Sequence, residues 1–419
     1  EKKVSLHGQP LTKAGGSKEK TIEALGGNPD NPFEIWSDVA AHFENVKEGL
    51  SNYAQEKQNT QKDWEQNNTE LAGKLKKFFS AEPPALDYRS VKQKAGSATR
   101  NASSTMLGIF AEEVENMIVA SADLSNSDKT DGFLKKTSSF RKGDFKGAFL
   151  QAGVAELTMA AIANGMALHG GVIPVVGTFF VFSDFMKPAV RLAALMELPV
   201  KYVWTHDAFR VGEDGPTHQP VEQEAQIRLL EKLKNHSGSN SLLALRPADA
   251  NETTIAWKMA LENTATPTAL ILSRQNIEDL PVEGDPYEQA LQAERGAYVV
   301  QNDTDPDVIL VANGSEVTTL IEGAALLRER KGLKVRVVSV ISEGLFNIQE
   351  ESYKQKVLPS GVKKFGLTAG LPVTLEGLVK EDGKVFGLSH FGYSAPYTVL
   401  DEQFGFTGEN VFRQVEKMF

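Results

Sequence analysis

Apolar and polar positions divide the 419 residues into stretches of different rhythm. Glu1 to Phe33 shows no helical or strand period; Gly, Lys and Pro recur, with His7-Gly8-Gln9-Pro10-Leu11 at its head and Asn31-Pro32-Phe33-Glu34 at its end. An irregular segment of about 30 residues is a poor start to a domain, and it reads as the tail of one that precedes it. From Ser37 to Phe79 the chain is polar, but Trp36, Val39, Ala40, Phe43, Val46 and Leu50 recur at helical steps. This predicts a helix capped by Ser37 and a second over Gln61 to Phe79. Each has one narrow apolar face, so the pair reads as a helical connector, closed by Pro83-Pro84.

The rhythm changes from Ser90. Short apolar runs at Met117–Ala120, Gly147–Gln151, Pro174–Val176, Pro199–Thr205, Ser241–Leu245 and Thr268–Ser273 predict strands. Between them, Ser97–Met106, Gly153–His169, Thr178–Glu197, Gln223–Leu230 and Thr253–Asn263 read as helices. Such alternation predicts an α/β fold with a parallel sheet covered on both faces. After a linker at Asn276–Asp285 the alternation resumes with strand Asp307–Ala312, helix Val317–Lys331 and strand Lys334–Val340, and it continues through His390–Pro396. Gly314-Ser315-Glu316 at the start of a helix is either a plain cap or an anion site. The division is then 1–35 (tail), 36–84 (connector), 85–278 (first α/β domain) and 286–419 (second α/β domain).

Composition narrows the function classes. A hydrophobic content of 41% and a charged content of 24% are ordinary for a globular protein. The net charge of −10 argues against nucleic acid or an anionic membrane as partner. The absence of cysteine excludes disulfides, thiolate metal sites and a Cys nucleophile, and agrees with a reducing cytoplasm. The longest apolar block, Val172–Phe182, contains Pro174 and Gly177 and is too short to span a bilayer. No signal peptide is visible. The spacings H-x-x-x-H and E-x-x-H do not occur, so no metal site is predicted within the chain.

Candidate chemistry gathers in Tyr202–Gln223. An apolar run breaks into a loop holding His206, Asp207, Glu213, Asp214 and His218, punctuated by Gly212, Gly215, Pro216 and Pro220. In open α/β sheets ligands sit beyond the carboxyl ends of the strands; the alternative is a solvated polar loop. Glu156 stands among Val154, Ala155, Leu157, Met159 and Ala160, where a lone carboxylate is costly unless it is partnered or protonated. It is otherwise an acid complementing a helix N-terminus. Phe179, Phe182 and Phe185 fall on helical spacing, the usual mark of a core face. Arg100 and Arg274 offer planar forks suited to phosphate. Asp123 suits an Asx turn at a strand end.

The string Gly212–Gln223, G-E-D-G-P-T-H-Q-P-V-E-Q, resembles the signature of the transketolases, which are thiamine-diphosphate enzymes. The resemblance extends over essentially the whole chain and is loosest at Ile341–Leu378. It implies that residues 85–278 form the pyrimidine-binding domain and 286–419 the C-terminal domain, each a three-layer α/β fold with a mainly parallel sheet. It implies that Glu156, in a G-x-x-E string, hydrogen-bonds the pyrimidine ring and favours its imino tautomer. Ala155 and Leu157 depart from the family, which often has Arg and then His or Phe there. Phe179, Phe182 and Phe185 become an aromatic wall for that ring, and Phe185 stands where many members have Tyr. Asp123 becomes a neighbour of cofactor or substrate. Arg100, Ser127 and Arg274 match the phosphate site. Asp214 and His218 match groups for substrate hydroxyl and phosphate, and His206 and His7 match histidines of the acceptor channel. Glu156, His218 and His7 are thereby the catalytic candidates.

The family's diphosphate- and metal-binding G-D-G string is absent from these residues. The resemblance therefore implies the pyrimidine half of the site, with the diphosphate and a divalent metal (Mg or Ca) held by a missing domain. It implies a ketol transferase of the pentose phosphate pathway acting on sugar phosphates in the cytoplasm. The partner is a homodimer copy or a separate diphosphate-binding subunit, and the chain alone is expected to be inactive. A non-catalytic dimerising scaffold, and a subunit of a related thiamine-diphosphate synthase, are the alternatives.

Overall fold

In the computed structural model, which describes residues 8–379 and 383–419, six apolar runs lie side by side in one all-parallel sheet. They are β1 (Met117–Ser121), β2 (Phe149–Gln151), β3 (Ile173–Phe179), β4 (Lys201–Thr205), β5 (Leu243–Leu245) and β6 (Thr268–Leu272), in the order β2-β1-β3-β4-β6-β5. Strands β4 and β6 are buried at every position, as expected of central strands covered by helices on both sides. Pro174 is tolerated in β3 because it precedes the pairing with β4, which begins at Val175 and Lys201. Gly177 has a steric reason. A Cβ there would meet Thr130 Cγ2 at 2.6 Å, so glycine lets the turn after β1 lie against β3. That turn is held by buried Asp128, which accepts from Ser121 Oγ at 2.6 Å and from Thr130 N and Oγ1 at 2.9 and 2.7 Å.

The second sheet orders its strands β11-β10-β8-β9-β7. Here β7 is Tyr298–Asn302, β8 Val308–Ala312, β9 Val335–Ser339, β10 Lys363–Thr368 and β11 Gly383–Gly387. All pairs are parallel except β7 with β9. Helix Glu316–Lys331 packs on this sheet and buries Val317, Leu320, Ala324 and Leu327. The fold is thus α/β throughout, with one six-stranded and one five-stranded mainly parallel sheet.

The two sheets communicate through buried charge. Arg246 follows β5 and donates to Asp207 Oδ2 at 2.7 Å, Glu316 Oε2 at 2.5 Å and Asn313 Oδ1 at 2.6 Å. Arg210 donates to Glu316 Oε1 and Asp401 Oδ1, both at 2.7 Å. Arg228 lies between Glu224 and Glu231 at 3.2 and 3.0 Å. Each guanidinium is matched by at least two carboxylates, Arg246 also by Glu224 at 3.6 Å, which is what allows it below the surface.

Two compact units are distinguished, one up to Leu75 and one from Lys76 to Phe419. The first is helical. Helix Ser37–Asn67 buries none of its residues, and Phe43 and Leu50 are each 63% exposed. No helix of the described residues is long and apolar enough to cross a membrane.

Several expectations are corrected. The N-terminal stretch contains a helix, Lys18–Ala24, because Ser17 Oγ caps it by accepting from Lys20 N. Ser37 is the first helical residue and not a cap; Trp36 precedes the helix, with no side-chain capping bond. That helix runs to Asn67, and the second begins at Thr69, not Gln61, because Asn68 leaves helical geometry at φ −138°. Strand β3 extends to Phe179, since Gly177, Thr178 and Phe179 pair with β4. Phe179 is therefore a strand residue, Phe182 lies in a tight turn and only Phe185 is helical, so the three do not share a helix face. Strand β7 had no counterpart in the reading of the sequence; its apolar run is short and closed by Gly296 and Asn302. Ser315 occupies the N-cap position of its helix without a side-chain capping bond, because its Oγ donates to Glu316 and accepts from Arg210.

Candidate functional site

The loops beyond β1, β3, β4 and β6 and the starts of helices Thr99–Glu113 and Glu156–His169 meet at the carboxyl end of the six-stranded sheet. The order of the sheet reverses between β1 and β3, the place where such folds form a crevice.

His206 lies at its centre. It follows β4 directly, in the left-handed region at φ +64°, and its ring stacks on Phe179 with centroids 3.7 Å apart. Arg100 Nη1 is 3.3 Å from Nε2, and Thr205 Oγ1 is 2.8 Å from Nδ1. A guanidinium can only donate, so Nε2 accepts and the proton resides on Nδ1, which donates to Thr205. Burial, then Arg100, Arg274 and His218, push the His206 pKa down to about 2. The imidazole is thus fixed as one neutral tautomer.

Arg100 is positioned by helix Thr99–Glu113, whose start is tied to β6 through Thr99 Oγ1, which accepts from Ser273 N at 2.7 Å. Its Nη1 also donates to the backbone oxygen of Ser127 at 2.8 Å, while its buried Nε has no partner. Burial and the neighbouring Arg274 lower its pKa to about 10. Arg274 is half-buried and makes no hydrogen bond or ion pair among the described residues. Two like charges in one recess, with open donor capacity, form a receptor for an anion.

Glu156 is the first residue of its helix and is 7% exposed. Its single side-chain hydrogen bond among the described residues comes from Thr178 Oγ1 to Oε1, at 3.2 Å. Thr178 lies at the end of β3 beside Phe179, so the carboxylate and the aromatic wall share one strand end. Phe179 stacks on Phe182 at 5.8 Å and 12°, and Phe182 approaches Phe185 at 6.2 Å. His218 meets Phe182 edge-on at 5.4 Å, with Thr217 Oγ1 at 2.9 Å from its Nδ1. Phe179 is buried, Phe182 half-buried and Phe185 62% exposed, so the wall opens outward toward Phe185. A half-free buried carboxylate next to an aromatic ladder fits a flat nitrogenous ring.

The structure thus brings together Glu156, Phe179, Phe182, His206, His218, Arg100 and Ser127. Phe185 stands at the rim. Asp123, in the left-handed region at φ +63°, and Asp214 are exposed, and among the described residues their side chains make no hydrogen bond or ion pair with the others. His7 lies outside the described residues. No cluster among the described residues could hold a metal ion.

Two supporting groups were not singled out from the sequence. Gln219 donates to Gly212 O at 2.9 Å and Tyr393 O at 3.0 Å, and Ser394 donates to Glu213 O at 2.5 Å. These bonds fix a loop that composition alone presents as solvated. Asp207, noted only as a loop acid, anchors the residue after His206 to Arg246. The one available signal was the position of Asp207 two residues beyond an apolar strand; nothing in sequence spacing pairs it with Arg246.

Comparisons with known proteins agree on one family. Residues 95–279 match the model of the transketolase pyrimidine-binding domain, and residues 296–407 that of the transketolase-like C-terminal domain. The chain is 39% identical to the transketolase of Bacillus subtilis (strain 168) over 427 residues, covering 99% of this chain and 61% of that one. It therefore spans less than two thirds of that relative's length. Among solved structures, a Pichia stipitis transketolase in complex with sedoheptulose-7-phosphate superimposes with a TM-score of 0.83 at 33% identity, covering 96% of this chain and 58% of that chain. A split-gene transketolase described as an inactive β4 tetramer matches in fold, with a TM-score of 0.58 at 24% identity, covering 77% of this chain and 98% of that chain.

Proposed function

We propose, from the premise that the chain belongs to the transketolase family, that it supplies the pyrimidine-binding half of a thiamine-diphosphate site in a ketol transferase. The observation that supports this best is the pairing of buried Glu156 with Thr178 at the end of the strand that carries Phe179. Bound thiamine diphosphate would supply the carbanion-stabilising chemistry. Thr178 fixes the rotation of the Glu156 carboxyl, leaving Oε2 for a hydrogen bond to a pyrimidine nitrogen. Phe182 and Phe185 present ring faces for stacking and exclude water from that bond. Asp123 serves as a neighbour of cofactor or substrate.

On the substrate side, Arg100, Ser127 and Arg274 receive the phosphate of a sugar phosphate. His206, held neutral, keeps Arg100 aimed at that phosphate and lines the acceptor channel. Asp214 and His218 hold substrate hydroxyls, with His218 also moving a proton, as does His7. Residues 85–278 act as the pyrimidine-binding domain, 286–419 as the C-terminal domain, and 1–35 and 36–84 as tail and connector. These residues carry no G-D-G string, so the diphosphate and a divalent metal fall to a diphosphate-binding domain that meets this chain in a homodimer or as a separate subunit, in the cytoplasm.

Calorimetric titration of thiamine diphosphate with Mg2+ tests the reading. The purified chain alone should bind no cofactor. Mixed with a chain carrying the family's diphosphate-binding domain, it should bind and transfer ketol units. Turnover by the purified chain alone would sink it, as would a reconstituted mixture with no cofactor affinity.

A further inference from the structure

Where the chain runs on from Arg274 through Gln275 and Asn276, a cleft of about 370 Å³ opens between the two sheet domains. Gln275 and Arg210 line it from the first domain; Glu322 and Thr318 of helix Glu316–Lys331, and Tyr397 and Asp401 of helix Tyr397–Phe404, line it from the second. Gln275 is only 6% exposed, yet among the described residues neither its amide nitrogen nor its amide oxygen has a partner. Buried amides are nearly always bonded, so an amide with both ends open inside a cleft faces something that binds there. Thr318 Oγ1 is likewise buried without a partner.

The charge of the cleft selects the occupant. Its cation, Arg210, is already matched by Glu316 and Asp401 and further bonded to Ser315 and Thr319. Glu278, Glu322 and Glu402 also line the cleft, and none forms an ion pair among the described residues. The recess has more acids than its one arginine matches, and burial, against the pull of Arg210 and with Glu316 and Glu322 adding to it, raises the Asp401 pKa to about 6. An anion would meet repulsion. The described residues hold no metal cluster, which leaves an organic cation. An amide that offers a donor and an acceptor side by side pairs with hydroxyl groups. We propose that this cleft binds a small hydroxylated amine of the amino-sugar type, its ammonium facing Glu322 and Asp401 and its hydroxyls facing Gln275 and Thr318.

Ligand-detected NMR titration of the purified chain with glucosamine tests the site, with glucose as the comparison probe. We expect saturable binding of glucosamine and at least about tenfold weaker binding of glucose, which lacks the cation. Gln275→Leu and Glu322→Gln should each weaken glucosamine by about tenfold, and Glu329→Gln, exposed on the same helix but outside the cleft, should not. Should Gln275→Leu fail to fold, the exposed Glu322 variant decides alone. Equal affinity for glucose and glucosamine, non-saturating binding, or affinity unaffected by Glu322→Gln would overturn the proposal.

Discussion

Replacing Arg246 by Met removes the charge that joins the two sheets while keeping most of the side-chain volume. Arg246 is 1% exposed, and among the described residues Asp207 Oδ2 accepts only from it, at 2.7 and 3.1 Å, while Asp207 Oδ1 has no partner. Glu316 keeps Arg210 at 2.7 Å, so the loss falls chiefly on Asp207. Stranding one member of a buried pair costs about 3–5 kcal/mol, and we place this variant in that range. Burial already holds the Asp207 carboxyl above its ordinary value against the pull of Arg246, and without that guanidinium it would be pushed further up. A raised folded-state pKa gives stability that is present below the unfolded pKa and lost as pH rises, so the deficit should be larger at pH 8 than at pH 5. Adding Asp207→Asn should recover part of the loss, because the stranded charge is gone. Urea unfolding followed by tryptophan fluorescence reads the midpoint, and hydrogen exchange at residues 206–211 reads the local effect. A destabilisation under about 1 kcal/mol, equal at both pH values, would refute the reasoning, since buried charge would then carry no penalty here.

Two further predictions concern titration. Nitrogen-15 NMR should show His206 neutral, with its proton on Nδ1, at pH 5; an imidazolium signal at pH 6 would contradict the tautomer assignment. Because its folded pKa of about 2 lies below the unfolded value near 6.5, the unfolded state takes up the proton first. Stability should therefore fall with pH below about 6.5, by up to about 1.4 kcal/mol per pH unit, and His206→Asn should flatten that limb. Lys201 is buried at the opposite end of β4 and donates to Asn263 O at 2.5 Å, and burial lowers its pKa to about 7. Its folded state lacks a proton that the unfolded chain holds up to about pH 10, so stability rises with pH across that window. Lys201→Met should stabilise the chain more at pH 7 than at pH 10 in thermal unfolding; the reverse order would contradict a neutral buried lysine.

Alternation of short apolar runs with amphipathic stretches was enough to locate all six strands of the first sheet, because buried parallel strands are continuous in hydrophobicity. Element ends were less legible. Phe179 was assigned to a helix because its spacing to Phe182 and Phe185 is helical, but pairing of Thr178 and Phe179 with β4 overrides that period. Strand β7 escaped because an antiparallel edge strand needs only a few apolar residues. At the site, residue types and family likeness pointed to Glu156, His206, His218 and the two arginines. Nothing in one dimension indicates that Thr178 reaches Glu156, that Arg100 sets the tautomer of His206, or that Gln219 holds its loop to Tyr393. These are contacts across strands and between domains, fixed only by the packed fold.

The most direct test of the central claim is the ketol-transfer rate of the complex reconstituted with a diphosphate-binding chain, with Glu156 intact and as Glu156→Gln. The amide keeps the size of the carboxyl and the bond from Thr178 but cannot exchange a proton with a ring nitrogen. The account predicts a loss of about 100-fold or more in kcat, with circular dichroism unchanged. A variant within about threefold of the parent would contradict it and leave the chain a scaffold for chemistry done elsewhere.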